Sequence, residues 1–190
     1  MSDLTSFFVA KVFRYREKVI DENLKFAFPE KSTEEKWKIK AAFYRNFCDL
    51  FFETIKLLSI HPGVLKQRAK FVNAGLIPEM ISKGNGGIGA FGHFNNWEWL
   101  GAAMGLHLPF ETVGIYRPLS NSFFDRLLLE IREKTGNRMV KDEKAYRDCL
   151  IHLSKPSYYG FLSDQNPART QELFFAPFMG KTGPLSSGDR

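Results

Sequence analysis

The sequence predicts an α/β fold: a largely parallel central sheet flanked by helices and preceded by an N-terminal helical segment. Three observations carry that expectation. The first 80 residues hold long stretches in which apolar residues recur at helical spacing. From residue 81 onward, short apolar runs alternate with helical ones, the order that builds a parallel sheet. Three polar clusters, His93 to Glu98, Tyr116 to Arg117 and Asp164 to Gln165, each lie just beyond one of the short runs, and parallel strands present their C-terminal ends to one crevice.

Taken in order, Thr5 to Phe28 mixes basic and apolar residues in an amphipathic stretch that fits either an interfacial helix or an ordinary docking helix, and Pro29 breaks it. Ser32 with Glu35 has capping-box spacing. Trp37, Ala41, Tyr44, Cys48, Phe51, Ile55 and Leu58 then form the buried stripe of a long helix, which His61, Pro62 and Gly63 end. That places His61 beside helix C-terminal carbonyls. After a second helical stretch, Gly84 to Gly92 reads as a turn and a short buried strand with Ile88, Ala90 and Phe91. Asn95 or Asn96 then caps a helix to about Gly105. Val113 to Tyr116 is the next strand, and Ser122 with Asp125 opens a helix that Gly136 stops. Arg138 to Val140 is extended, Asp142 caps a helix to Leu153, and Tyr158 to Leu162 is a strand ending at Asp164. The whole chain, 1–190, is expected to be one domain, with a helical part at 1–80 and a catalytic α/β part at 81–190.

Composition narrows the function classes. The chain has 190 residues, 44% of them hydrophobic, enough for a sizeable core. Twenty-seven Lys and Arg against 21 Asp and Glu leave a net charge of +6, which favours anionic partners but also simply maintains solubility. The basic residues are dispersed and no nucleic-acid module is visible, so nucleic acid is the least favoured partner. Cys48 and Cys149 make no C-x-x-C pair and read as buried structural thiols. No run reaches the ~20 apolar residues of a membrane span. Aromatic content of 15%, with 19 Phe, fits either a Phe-rich core or surfaces that touch lipid.

For chemistry, His93 lies in a strand-to-helix turn with Glu98 five positions on. Such a carboxylate can fold back to orient one imidazole nitrogen while the other faces substrate, giving a general base for a hydroxyl nucleophile. The same spacing also fits a capping His beside a surface Glu. Arg117 reads as a strand-end salt bridge or an anion holder, and Asp164 as a turn cap or a site residue, with Gln165 beside it. His93 and Glu98 lack the H-E-x-x-H spacing of a metal site, and His107 and His152 read as structural, so no metal or cofactor is expected.

The block G-H-F-N-N-W-E-W at Gly92 to Trp99 resembles the H-x4-D/E block of bacterial lipid A biosynthesis acyltransferases. The likeness continues in Y-R-P-L-x-N and F-D-R-L within Tyr116 to Leu127, R-x-x-x-G at Arg132 to Gly136, and S-D-Q-N-P at Ser163 to Pro167. Upstream, R-E-K-V-I-x-E-N-L-K-x-A-F-P-E and F-Y-R-N-F-C-D-L-F-F-E-T-I-K extend it back to Arg16. The resemblance implies a glycerolphosphate-acyltransferase-like fold and transfer of a fatty acyl group from acyl-carrier protein to a hydroxyl of a lipid A precursor. His93 would be the general base and Glu98 would hold it, with substrate roles for Arg117, Asp164 and Gln165. It also implies a peripheral place on the cytoplasmic face of the bacterial inner membrane.

The chain departs from the family in Gly86, Gly87 and Gly89, which are expected to loosen the strand before the His. It is further expected to begin after the family's membrane anchor and to be incomplete at its C-terminal end. Two alternatives accompany this reading: acyl transfer to another lipid acceptor such as a glycerophosphate, and an inactive lipid-binding fragment.

Overall fold

A computed structural model describes residues 2–73, 75–82, 86–152 and 155–164, together with the backbone of 173–178 and 181–186. The N-terminal stretch is helical in two pieces: α1 (Ser2–Phe7) runs into a π-helical turn at Phe8–Val12, and α2 spans Glu17–Ala27. Between them Arg14 and Arg16 take left-handed φ of 45° and 52°, which ends one helix before the other begins. Lys40 of α3 (Thr33–Leu57) then ties α2 down through Glu17 and Asp21, each at 2.9 Å, and the Tyr44 hydroxyl donates to the Tyr15 carbonyl. The capping box forms: Ser32 Oγ accepts from the Glu35 amide, and the Ser32 amide donates to the Glu35 carboxylate.

The stripe on α3 is narrower than its periodicity predicts. Tyr44 and Cys48 are buried, but Trp37, Phe51, Ile55 and Leu58 are exposed, because α1, α2 and the later helices cover only part of the face. His61 also differs from expectation. It caps the start of α4 (Pro62–Arg68), its Nδ1 accepting from the Gly63 amide, because Pro62 at the first helical position begins a new helix immediately. The carbonyls at the end of α3 are met instead by Lys134 Nζ, 2.7 Å from the Leu58 oxygen and 3.2 Å from that of Leu57.

Beyond α5 (Leu76–Ser82) the chain alternates as β1 (Gly87–Phe91), α6 (Trp97–His107), β2 (Glu111–Tyr116), α7 (Ser122–Glu133) and β3 (Arg138–Lys141). A 3₁₀ turn (Asp142–Lys144), α8 (Ala145–Ile151) and β4 (Ser157–Leu162) follow. The four strands form an all-parallel sheet in the order β1-β4-β2-β3. With this order, the right-handed rule for parallel crossovers places α6 and α7 on one face and α8 on the other. Packing agrees: Ala102, Ala103 and Ile131 meet Leu57, Ile60 and Leu65, while Val113, Val140 and Tyr159 pack with Cys149. A separate antiparallel pair, β5 (Leu173–Phe178) and β6 (Lys181–Ser186), was not read from the sequence.

Several details refine the expected elements. The cap of α7 is Asn121, whose side chain accepts from the Phe123 and Phe124 amides, whereas Asp125 accepts from the Leu119 amide. Strand β1 is an edge strand, and Ile88, expected inside, is 72% exposed. Its glycines permit close approach: a Cβ at Gly89 would collide with the Tyr158 ring of the neighbouring strand. His107 and His152 each donate to a backbone carbonyl, of Ala69 and Asp148. Burial raises the pKa of both cysteine thiols, so they remain protonated.

At the N-terminal end of the sheet, Arg138 bridges Glu111 and Asp148, reaching the latter through two nitrogens at 2.8 and 2.9 Å, and the Tyr159 hydroxyl donates to the same carboxylate. The Arg138 hydrogen bonds hold the Asp148 carboxyl below its ordinary 3.8 against the opposing effect of burial. The unfolded chain therefore binds this proton more readily than the folded one. The stabilisation is complete above 3.8 and is lost as pH falls toward the depressed folded value. Urea unfolding between about pH 5 and pH 2.5 is expected to show a falling midpoint that flattens in Asp148→Asn.

Candidate active site

The ladder between β1 and β4 pairs Phe91 with Leu162, and the Ser163 amide extends it by donating to the Phe91 carbonyl at 3.0 Å. Two residues beyond that pair on each strand stand His93 and Asp164, so the register itself brings them together. The Asp164 carboxylate holds His93 twice: Oδ1 lies 2.6 Å from the ring Nδ1, and Oδ2 accepts the His93 backbone amide at 2.7 Å. Glycine at 92 leaves this approach uncrowded, since a Cβ there would sit 3.2 Å from Oδ2.

Burial tends to raise the Asp164 carboxyl, but the hydrogen bonds from the His93 ring and amide outweigh it and leave the carboxyl below the ordinary carboxylate range. An ionised carboxylate accepts only, so Nδ1 carries a proton, and in the neutral form of the ring the lone pair is then on Nε2. The ring is 25% exposed and its carboxylate 47%, at the C-terminal edge of the sheet. This is the arrangement of a base with its orienting group.

Glu98 lies elsewhere. Both of its oxygens engage Arg132 of α7, at 2.6 and 3.0 Å, in a pair whose side chains are only 11% and 18% exposed. The carboxylate on His93 Nδ1 is that of Asp164, where the sequence spacing suggested Glu98. The reason is helical geometry: α6 begins at Trp97, and each further residue turns about 100° around the axis. Trp97 faces the His93 ring, with centroids 5.0 Å apart and planes at 76°, so Glu98 points aside toward α7. The start of α6 is itself fixed: Asn96 caps it through the Trp99 amide and bonds Glu53 of α3, whose carbonyl also accepts from the Trp99 indole.

Arg117 sits past β2 at the same edge, its Nε 2.8 Å from Asp142 beyond β3, with the side chain 68% exposed. Gln165 lies outside the described residues. Among the described residues no three His, Cys, Asp or Glu side chains are grouped to hold a metal ion, and no helix is long and apolar enough to cross a membrane. Trp97 and Arg132 joined the site only through the structure. Their signal in the sequence was that Trp97 falls inside the G-H-F-N-N-W-E-W block and Arg132 opens the R-x-x-x-G block.

Removing one partner of the enclosed Glu98–Arg132 pair strands the other charge. Glu98→Ala is expected to cost about 3 kcal/mol of stability by urea denaturation, and a loss under about 0.5 kcal/mol would show that solvent already screens the pair.

A family model for the bacterial lipid A biosynthesis acyltransferases matches residues 2–186, nearly the whole chain and every block that carries the site. No curated protein matches the chain. With the parallel sheet, the strand-end histidine and its carboxylate in place, the match shows that this chain belongs to the bacterial lipid A biosynthesis acyltransferase family.

Proposed function

We propose that the chain transfers a fatty acyl group from acyl-carrier protein to a hydroxyl of a lipid A precursor, with His93 as general base and Asp164 holding it. The observation that carries this reading is the double contact of one carboxylate with His93, which fixes both ring orientation and tautomer. Nε2 takes the proton of the acceptor hydroxyl as its oxygen attacks the thioester carbonyl. The tetrahedral intermediate then collapses, the C–S bond breaks, and the imidazolium returns the proton to the departing thiolate. Asp164, already ionised, stabilises the imidazolium between the two transfers. No covalent enzyme intermediate is required, and both cysteines are held protonated by burial.

Arg117 is assigned to binding. Its exposed guanidinium suits a phosphate of the acceptor or the developing oxyanion, and Asp142 steadies it through Nε. The net charge of +6 complements an acidic carrier and an anionic membrane face. Exposed Phe7, Phe8 and Phe13 on the N-terminal segment, and Phe94 next to the base at 87% exposure, supply apolar surface for lipid. These features support a peripheral place on the cytoplasmic face of the bacterial inner membrane.

The test is transfer of labelled acyl groups from acyl-carrier protein to a lipid A precursor. His93→Ala is expected to lose at least about a hundredfold in kcat with its fold retained. Transfer unchanged in that variant would remove His93 as the base, and preference for a glycerophosphate in competition would move the acceptor assignment. Arg117→Ala is expected to raise KM for a phosphorylated acceptor by about tenfold with kcat nearly constant, as loss of uniform binding requires, and a fall in kcat instead would assign Arg117 to the oxyanion.

A further inference from the structure

We infer that Trp97 is the positioning residue for the His93 ring and that Glu98 acts on the site through it, by holding Arg132 against the indole. The inference rests on His93 as the base and deepens that reading. A hydrogen bond at Nδ1 fixes one end of an imidazole but leaves rotation about that contact, so a base held to within ~0.5 Å needs a second constraint on its ring. Trp97 supplies one, packing against His93 in a T-shaped contact at 5.0 Å.

Trp97 is itself clamped from another direction. The Arg132 guanidinium carbon lies 5.6 Å from the centroid of the indole, within reach of a cation–π contact. Arg132 in turn is fixed by the bidentate Glu98 carboxylate. The cap at Asn96 and the anchor on Glu53 set the backbone from which Trp97 projects. The four residues therefore form one sequence of contacts, Glu98 to Arg132 to Trp97 to His93. The carboxylate also neutralises the cation it places, so the ring gains a rigid wall without a bare positive charge close to a base that must accept a proton.

This assigns separate work to the two carboxylates near the histidine. Asp164 sets which nitrogen carries the proton, while Glu98 sets where the ring plane lies, without touching it through a hydrogen bond to Nδ1. An aromatic ring at position 97 is then the requirement, and the indole nitrogen is not.

The experiment compares Trp97→Leu with Trp97→Phe in the full chain, reading the imidazole ¹⁵N shifts of His93, assigned against His93→Ala, together with kcat and KM. Trp97→Leu is expected to shift and broaden the His93 ring ¹⁵N resonances as the ring plane loses its second support, and to lower kcat by about tenfold or more with KM nearly unchanged, whereas Trp97→Phe restores most of both. Wild-type ¹⁵N shifts and kcat in Trp97→Leu would overturn the inference, as would a Phe variant no better than Leu. Should Trp97→Leu fail to fold by circular dichroism, Glu98→Gln, which loosens Arg132 at almost constant volume, is read in the same way. It is expected to disturb the ring, and undisturbed shifts there would overturn the role given to Glu98. If His93→Ala remained active, the catalytic reading would fail by itself, because the ring shifts report positioning independently of turnover.

Discussion

The pairing of β1 with β4 is the constraint on which the site depends. Because β4 inserts between β1 and β2, two residues 71 positions apart in the chain emerge side by side at the same edge of the sheet. The backbone ladder, extended past Phe91 by the Ser163 amide, places Asp164 before any side chain is considered. A shift of one residue in that register would turn the carboxylate toward the opposite face. The glycines along β1 serve the same pairing, since Gly89 accommodates the Tyr158 ring and Gly92 admits the Asp164 carboxylate.

The two ends of the sheet are specialised differently. At the N-terminal end, Arg138 gathers Glu111, Asp148 and Tyr159 into a charged clamp joining β2, β3, β4 and α8. Tyr159, buried and donating to Asp148, has its pKa raised to about 12 and stays neutral. At the C-terminal end Asp164 and Arg117 are more open to solvent, and the Asp164 carboxylate serves a histidine. Helices α3, α6 and α7 join the ends by packing on one face, with Lys134 sealing α3 and Glu53 fixing the start of α6.

Much of this was legible in the sequence where the signal is local. The Ser32–Glu35 cap, the strand and helix alternation, and the placement of His93, Arg117 and Asp164 after strands all follow from neighbouring residues. Strand order is not local, and without it the sequence offered Glu98, five positions away, as the nearest carboxylate for His93. Two further features, Trp97 as the start of α6 and Arg132 on α7, redirect Glu98, and both depend on how helices pack rather than on spacing. The α3 stripe shows the same limit: periodicity marks a face, but only the neighbouring helices decide how much of it is covered.

One carboxylate that grips both the backbone amide and the ring of the same residue has a consequence for charge transfer. When a proton arrives at Nε2, the imidazole becomes cationic, yet Oδ1 already faces its Nδ1–H while Oδ2 holds the backbone amide of the same residue. Neither has to turn, and the amide contact keeps the carboxylate from following the ring if it tilts. The electrostatic environment for the charged state thus exists before the charge does, and the reorganisation that water would have to perform is built into the turn after β1.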